Sequence, residues 1–158
     1  MKPKIGLSDP ALKGVVDILN TVLADEFVLY TETLNYHWNV TGAHFHDLHT
    51  FLDSQYKALL DNIDDIAERV RSLGGVATGS LSEFLKQTRL KEKSAMQAQA
   101  MLENLLSDHE ALIQSLRKDL QTCDQKFHDM GTNDFLTGLM EKHEKMAWML
   151  RACLQKSL

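Results

Sequence analysis

Four residues in one predicted helical stretch have the types and spacing of metal ligands: His49, Asp53, Asp64 and Glu68. Within each successive pair the residues are four apart, so they share one face of a helix. Eleven residues separate Asp53 from Asp64, about three helical turns, so both pairs point the same way. Those residues also rise roughly 16 Å, whereas metal–ligand bonds are about 2 Å long. One copy of the helix therefore cannot close a site with both pairs.

A second copy of the same helix removes this difficulty. The two pairs are symmetric about the midpoint between Ala58 and Leu59. If two such helices pack antiparallel about a two-fold axis at that point, the histidine end of each meets the acidic end of the other. The spacing therefore predicts two metal sites per dimer, each shared between subunits.

His37 completes the predicted ligand set. It ends the first predicted helix, and the residue midway between His37 and His49 falls in the turn before the second helix, so the two histidines should face each other. One subunit would then supply His37, His49 and Asp53, and its two-fold mate would supply Asp64 and Glu68. Two imidazoles and three carboxylates suit Fe(II), Mn(II) or Zn(II), and affinity alone would not exclude zinc as a substitute. Glu68 is the candidate to bridge a second metal.

A di-iron site inside a single subunit is not expected. Such bundles use Glu-x-x-His on two helices, and no glutamate in this chain has histidine three residues later. The remaining histidines have no partner at a comparable spacing, and we expect them to be structural: His44, His46, His109, His128 and His143.

Apolar residues recur at helical spacing along most of the chain and predict four long helices. The first covers about residues 10–38, and the second runs from near His46 or Asp47 to the Gly74-Gly75 stop. The third is predicted over residues 94–123, and the fourth follows the caps Thr132-Asn133. A short helix falls within the connection at residues 78–90. The fold class is therefore all-α, a ferritin-like four-helix bundle with an extra helix between helices 2 and 3, in one domain (1–158) with a short N-terminal tail (1–8).

Composition narrows the classes of function. The net charge of −5 argues against a generic nucleic-acid binder. Two cysteines, Cys123 and Cys153, lack ligand spacing and are typical of free thiols in a reducing compartment. No stretch approaches 18 apolar residues, so we expect a cytoplasmic protein without a membrane segment.

Two segments resemble the Dps family, the DNA-binding proteins from starved cells or mini-ferritins. The first runs from Asn35-Tyr36-His37-Trp38 through Asp53 and Asp64 to Gly74-Gly75, and the second covers residues 143–151. The resemblance extends over nearly the whole chain. It implies a hollow dodecamer with a ferroxidase centre at each two-fold interface, and it assigns the ligands to the same five residues. The implied reaction oxidises Fe(II) to Fe(III), with hydrogen peroxide as the usual oxidant and oxygen as the alternative. The ferric mineral is then stored, which protects the cell from oxidative damage.

The same resemblance suggests roles for residues outside the ligand set. Trp38 directly follows a ligand, and it is either an electron-transfer aromatic, a packed interface aromatic, or both. The family's pore acids match Asp134 well and Asp129 and Asp124 approximately. The alternative for these three is a solvated acidic loop in which Asp134 favours the helix start.

The small number of lysines near the termini argues against DNA binding. DNA-binding members carry a lysine-rich extension, whereas this chain offers only Lys2, Lys4 and Lys156 there, on an acidic body. Twelve weak tails acting together leave a non-catalytic, DNA-compacting cage as the alternative function. A helical interaction protein with a structural zinc site is the third hypothesis, and catalytic turnover distinguishes it from the first.

Overall fold

The computed structural model describes residues 3–155, and within that range it contains five α-helices and no β-strand. Helices α1 and α2 pack as one hairpin and α4 and α5 as another, and α1 also packs against α4 and the short α3. No helix in the described range is long and apolar enough to cross a membrane. The predicted all-α bundle with an extra helix in its middle connection is confirmed. The helices are α1 (Asp9–Asn39), α2 (Phe45–Ser72), α3 (Leu81–Gln87), α4 (Ala98–Gln125) and α5 (Met130–Leu154).

The bundle is held by the apolar face of each helix. Leu19 and Leu29 of α1, Leu59 of α2, Leu116 of α4 and Leu136 of α5 are all 0% exposed. Burying a leucine fully stabilises the fold by roughly 1.5–3 kcal/mol. The core therefore fixes the relative rotation of the helices, which in turn fixes the residues that each helix presents elsewhere.

The end of α2 requires two glycines. Gly74 has φ +81°, and its N–H donates to the carbonyl of Arg71 at 2.9 Å, while the N–H of Gly75 donates to that of Val70 at 3.0 Å. This pair of bonds satisfies carbonyls that the helix leaves open at its C-terminus. A Cβ on Gly75 would lie 2.6 Å from a methyl of Val16. The predicted helix stop is confirmed.

Two helix starts differ from the prediction. Helix α4 begins at Ala98 and not at Ser94. In the non-helical segment before it, the Lys93 ammonium binds Asp108 of α4. Helix α5 begins at Met130 and not after Thr132-Asn133. Its cap is Asp129, whose carboxylate accepts the backbone N–H of Thr132 at 3.0 Å.

The middle connection is anchored to the bundle at Asp25 of α1, which is 1% exposed. Its carboxylate accepts the hydroxyl of Thr88 at 2.9 Å and the backbone N–H of Arg89 at 2.6 Å. The Arg89 guanidinium also binds Asp119 of α4 at 2.8 Å. Phe84 of α3 stacks on Phe27 with ring centroids 4.3 Å apart. These contacts tie the crossover to both α1 and α4.

Candidate metal centre

His37 and His49 meet where α1 ends and α2 begins. Their rings stack with centroids 3.9 Å apart and planes 21° apart. Nδ1 of each ring lies 2.9 Å from the backbone carbonyl oxygen of the other residue. Because a carbonyl can only accept, each Nδ1 carries a proton, and in the neutral form of each ring the lone pair is therefore on Nε2. Histidine ligands in metal sites are commonly held in this tautomer by such a bond. The two histidines therefore face each other, as the spacing predicts.

Asp53 lies one turn beyond His49 on α2 and is partly exposed. Its Oδ1 accepts the hydroxyl of Tyr56 at 2.9 Å, and its Oδ2 accepts the ammonium of Lys57 at 2.7 Å. Lys57 above all, and then Tyr56, hold the pKa of the Asp53 carboxyl below its usual value. The carboxylate is thus ionised, as a metal ligand must be. The Tyr56 ring also lies 5.2 Å from that of His37, so it connects Asp53 to the histidine pair.

Asp64 and Glu68 are exposed on the same helix, further along α2. Across residues 3–155, no group of three or more His, Cys, Asp or Glu side chains could hold a metal ion within one chain. The structure brings together the two histidines next to Asp53 and leaves the other two acids apart from them. A site completed by a second subunit stays a prediction.

Trp38 is 66% exposed at the end of α1, beside this site. Its ring is not packed into its own chain, and Phe45, at the start of α2, is 45% exposed next to His49, with ring centroids 5.1 Å apart. Both hypotheses for Trp38, electron transfer and interface packing, stay predictions.

The three candidate pore acids have different surroundings. Asp129 is 5% exposed, and besides capping α5 its carboxylate accepts the Thr132 hydroxyl at 2.6 Å and lies 3.5 Å from the Arg69 guanidinium. Asp124 is half-buried and Asp134 is exposed. These contacts give Asp129 a structural task, and the pore role of all three acids stays a prediction.

A polar cluster in the bundle core was not predicted from the sequence. His143 Nε2 lies 2.5 Å from Glu26 Oε1, and His143 Nδ1 lies 2.9 Å from His109 Nδ1. All three side chains are at most 1% exposed. Burial, followed by the neighbouring His143, lowers the pKa of His109 well below its usual value. The available signal was that Glu26, His109 and His143 each lie at helical spacing among the apolar residues of their own helix.

Residues 16–157 match the ferritin-like domain family. The chain is 35% identical over 145 residues to DNA protection during starvation protein 2 of Bacillus anthracis, covering 91% of this chain and 99% of that protein. The chain belongs to the Dps family of the ferritin-like superfamily.

Two further comparisons cover nearly the whole chain. A crystal structure of a Dps protein from Vibrio cholerae O1, described as a member of a broad superfamily of ferritin-like diiron-carboxylate proteins, superposes with a TM-score of 0.91 at 30% identity, covering 98% of this chain and 97% of that one. An uncharacterised low-temperature-induced protein of Nostoc sp. is 47% identical over 153 residues, covering 96% of this chain and 86% of that protein. Membership of the Dps family supports a role in iron storage or iron oxidation in general.

Proposed function

We propose that this protein oxidises Fe(II) to Fe(III) and stores the ferric mineral in a hollow homo-oligomer, a dodecamer, in the cytoplasm. The observation that carries the proposal is the histidine pair. The reciprocal bonds of His37 and His49 to main-chain carbonyls leave a lone pair on Nε2 of both stacked rings. An ionised carboxylate, Asp53, lies next to them. Such a preformed N/O set is suited to divalent iron.

The proposed site combines His37, His49 and Asp53 of one subunit with Asp64 and Glu68 of its two-fold mate. Iron is the substrate here. Three carboxylates stabilise the trivalent ion more than the divalent one, because the Coulomb attraction rises with the charge of the metal. The ligand set therefore favours the oxidised product. Zinc would occupy the same ligands without turnover, because it has no accessible second oxidation state.

Hydrogen peroxide is the proposed oxidant. Two Fe(II) ions lose one electron each, and peroxide takes both electrons and two protons to give two molecules of water. Glu68 is proposed to bridge the two ions, and Trp38 to accept a stray oxidising equivalent. Consuming iron and peroxide together leaves less of both for radical formation. The net charge of −5 per subunit would steer cations towards the assembly.

Anaerobic Fe(II) loading followed by peroxide tests the function, with ferric absorbance as the readout. We expect His49→Ala and Asp53→Ala to lower the oxidation rate by at least about tenfold. His46→Ala is the matched control, because His46 is an exposed histidine of the same helix. Light scattering verifies that each variant is assembled. Unchanged rates in assembled His49→Ala protein would reject the proposal, and loss of the assembly on chelation would favour a structural zinc site.

DNA compaction is not proposed. Lys4 is exposed, and Lys2 and Lys156 lie outside the described residues. Among the described residues, no contact or charge cluster would attract a polyanion, and the acidic body of the molecule opposes its binding.

A further inference from the structure

The contact between α1 and α4 contains buried carboxylate oxygens that lack hydrogen bonds. Glu32 of α1 is 6% exposed and Asp108 of α4 is 4% exposed. Among the described residues, both oxygens of Glu32 and Oδ2 of Asp108 have no hydrogen-bond partner of good geometry, although the Tyr36 hydroxyl and the Asp108 carboxyl lie close enough to Glu32 to affect its pKa. An unsatisfied buried polar group costs about 1–3 kcal/mol, and more when it is charged. Native structures rarely leave such atoms without a proton, a water or an ion.

Two pairs of residues at helical spacing face each other here. Glu32 and Tyr36 are four apart on α1, and Asn104 and Asp108 are four apart on α4. The Asn104 amide donates to the Tyr36 hydroxyl at 2.9 Å, and that hydroxyl lies 3.4 Å from the backbone carbonyl oxygen of Lys93. The region thus holds three unpaired carboxylate oxygens, a phenol oxygen and a carbonyl oxygen.

The negative charge of this region is only partly balanced. The ammonium of Lys93 binds Asp108 Oδ1 at 2.5 Å, and no other cation contacts the two carboxylates among the described residues. Burial raises the pKa of Glu32 to about 7, with the Asp108 charge adding to the rise and the Tyr36 hydroxyl and Lys93 opposing it. With both acids ionised, the region has a formal charge of −1.

We propose that Glu32 and Asp108 bind a divalent cation that prefers oxygen ligands, such as Mn²⁺ or Mg²⁺, with the Tyr36 hydroxyl and the Lys93 carbonyl as further ligands. An all-oxygen set suits these hard cations. A divalent ion would neutralise both carboxylates and would be coordinated by the oxygens that lack hydrogen bonds. The Lys93 side chain is 30% exposed, so its ammonium can move into solvent as the ion enters. This site uses no histidine, and it does not depend on the proposed iron oxidation.

Counting bound Mn²⁺ tests the site. Free Mn²⁺ is measured by electron paramagnetic resonance at pH 8, where Glu32 is ionised, in titrations of the assembled protein. We expect wild type to bind about one more Mn²⁺ per chain than Glu32→Gln or Asp108→Asn. Glu92→Gln is the matched control, because Glu92 is an exposed acid in the same connection. Mn²⁺ bound at the histidine site is common to all four proteins and cancels. Equal stoichiometry in wild type and Glu32→Gln would overturn the proposal in favour of a proton shared by the two acids.

Lys93→Met gives a second readout that a merely structural role would not produce. Removing the competing ammonium should tighten Mn²⁺ binding by about tenfold. Unchanged or weaker binding in this variant would overturn the proposed exchange of Lys93 for the metal ion. Circular dichroism and light scattering verify that every variant is folded and assembled. Glu32→Gln should fold readily, because it replaces a buried charge with a neutral side chain of the same shape.

Discussion

Co-assembly of two inactive variants tests whether each iron site draws on two subunits. His49→Ala removes a histidine from every site, and Glu68→Ala removes an acid from every site, so each variant alone should be inactive. In a two-fold pair that contains one chain of each kind, one site regains all its ligands. The other site of that pair loses both residues.

The recovered activity can be calculated. If the chains assemble randomly from an equal mixture, about half of the two-fold pairs are mixed, and each mixed pair has one intact site out of two. About a quarter of all sites are then intact, so the oxidation rate should recover to about a quarter of the wild-type rate. A single-chain site would recover nothing, because His49 and Glu68 are then never intact together in one chain.

Co-expression of the two variants with different affinity tags, followed by purification on both tags, gives the mixed assemblies. The assay is peroxide-driven Fe(II) oxidation followed by ferric absorbance. Separately assembled cages mixed afterwards are the control, and they should stay inactive. Absence of recovery in the co-assembled protein would refute the shared site, even if each single variant is inactive.

Three further predictions concern stability. Burial raises the pKa of Glu32 from 4.5 to about 7, so the folded chain binds this proton more tightly than the unfolded chain does. As the pH rises from 4.5 to about 7, the folded state should therefore lose up to about 3 kcal/mol of stability. Denaturant unfolding in EDTA should therefore show that Glu32→Gln has a higher free energy of unfolding than wild type at pH 8 but not at pH 4.5. The same difference in unfolding free energy at both pH values would contradict this. The lowered pKa of His109 has the opposite effect, since the unfolded chain takes up the proton first below pH 6.5. His109→Gln should lose less stability than wild type on acidification from pH 6.5 to 5, and parallel curves would count against it. Gly75→Ala should cost about 1–3 kcal/mol through its contact with Val16, whereas Gly79→Ala, with open space around its Cβ, should melt close to wild type. Equal melting temperatures of these two variants would reject the steric explanation.

The helices were predictable because each long helix buries one face. Apolar residues such as Leu59 and Leu116, both 0% exposed, recur at the spacing of a helix. The sequence alone therefore indicates each helix and the side that it buries. The start of α4 was not predictable in this way. Lys93 contacts Asp108, fifteen residues later, and such a tertiary contact leaves no trace in local periodicity.

The candidate metal centre was partly predictable for a related reason. His37 and His49 flank a short turn, so their proximity follows from the chain connection. Their hydrogen bonds to main-chain carbonyls do not follow from residue types, because they depend on the orientation of the rings. Glu26 of α1 and His143 of α5 are 117 residues apart, and only the assembly of the whole bundle brings them together. Spacing within one helix cannot reveal such a pair.

The anchor at Asp25 divides the crossover into two shorter spans. Because the entropy cost of closing a loop grows with its length, each span is cheaper to close than the whole connection would be. Extra residues inserted at Gly79, where a side chain would meet open space, would lengthen only the span before α3. Loss of the Arg89 side chain would instead remove the ion pairs of the crossover with both α1 and α4, and the Thr88 hydroxyl and the backbone N–H of residue 89 would remain on Asp25. Limited proteolysis should therefore cut an Arg89→Ala chain within residues 88–97 much faster than it cuts a chain carrying an insertion at residue 79.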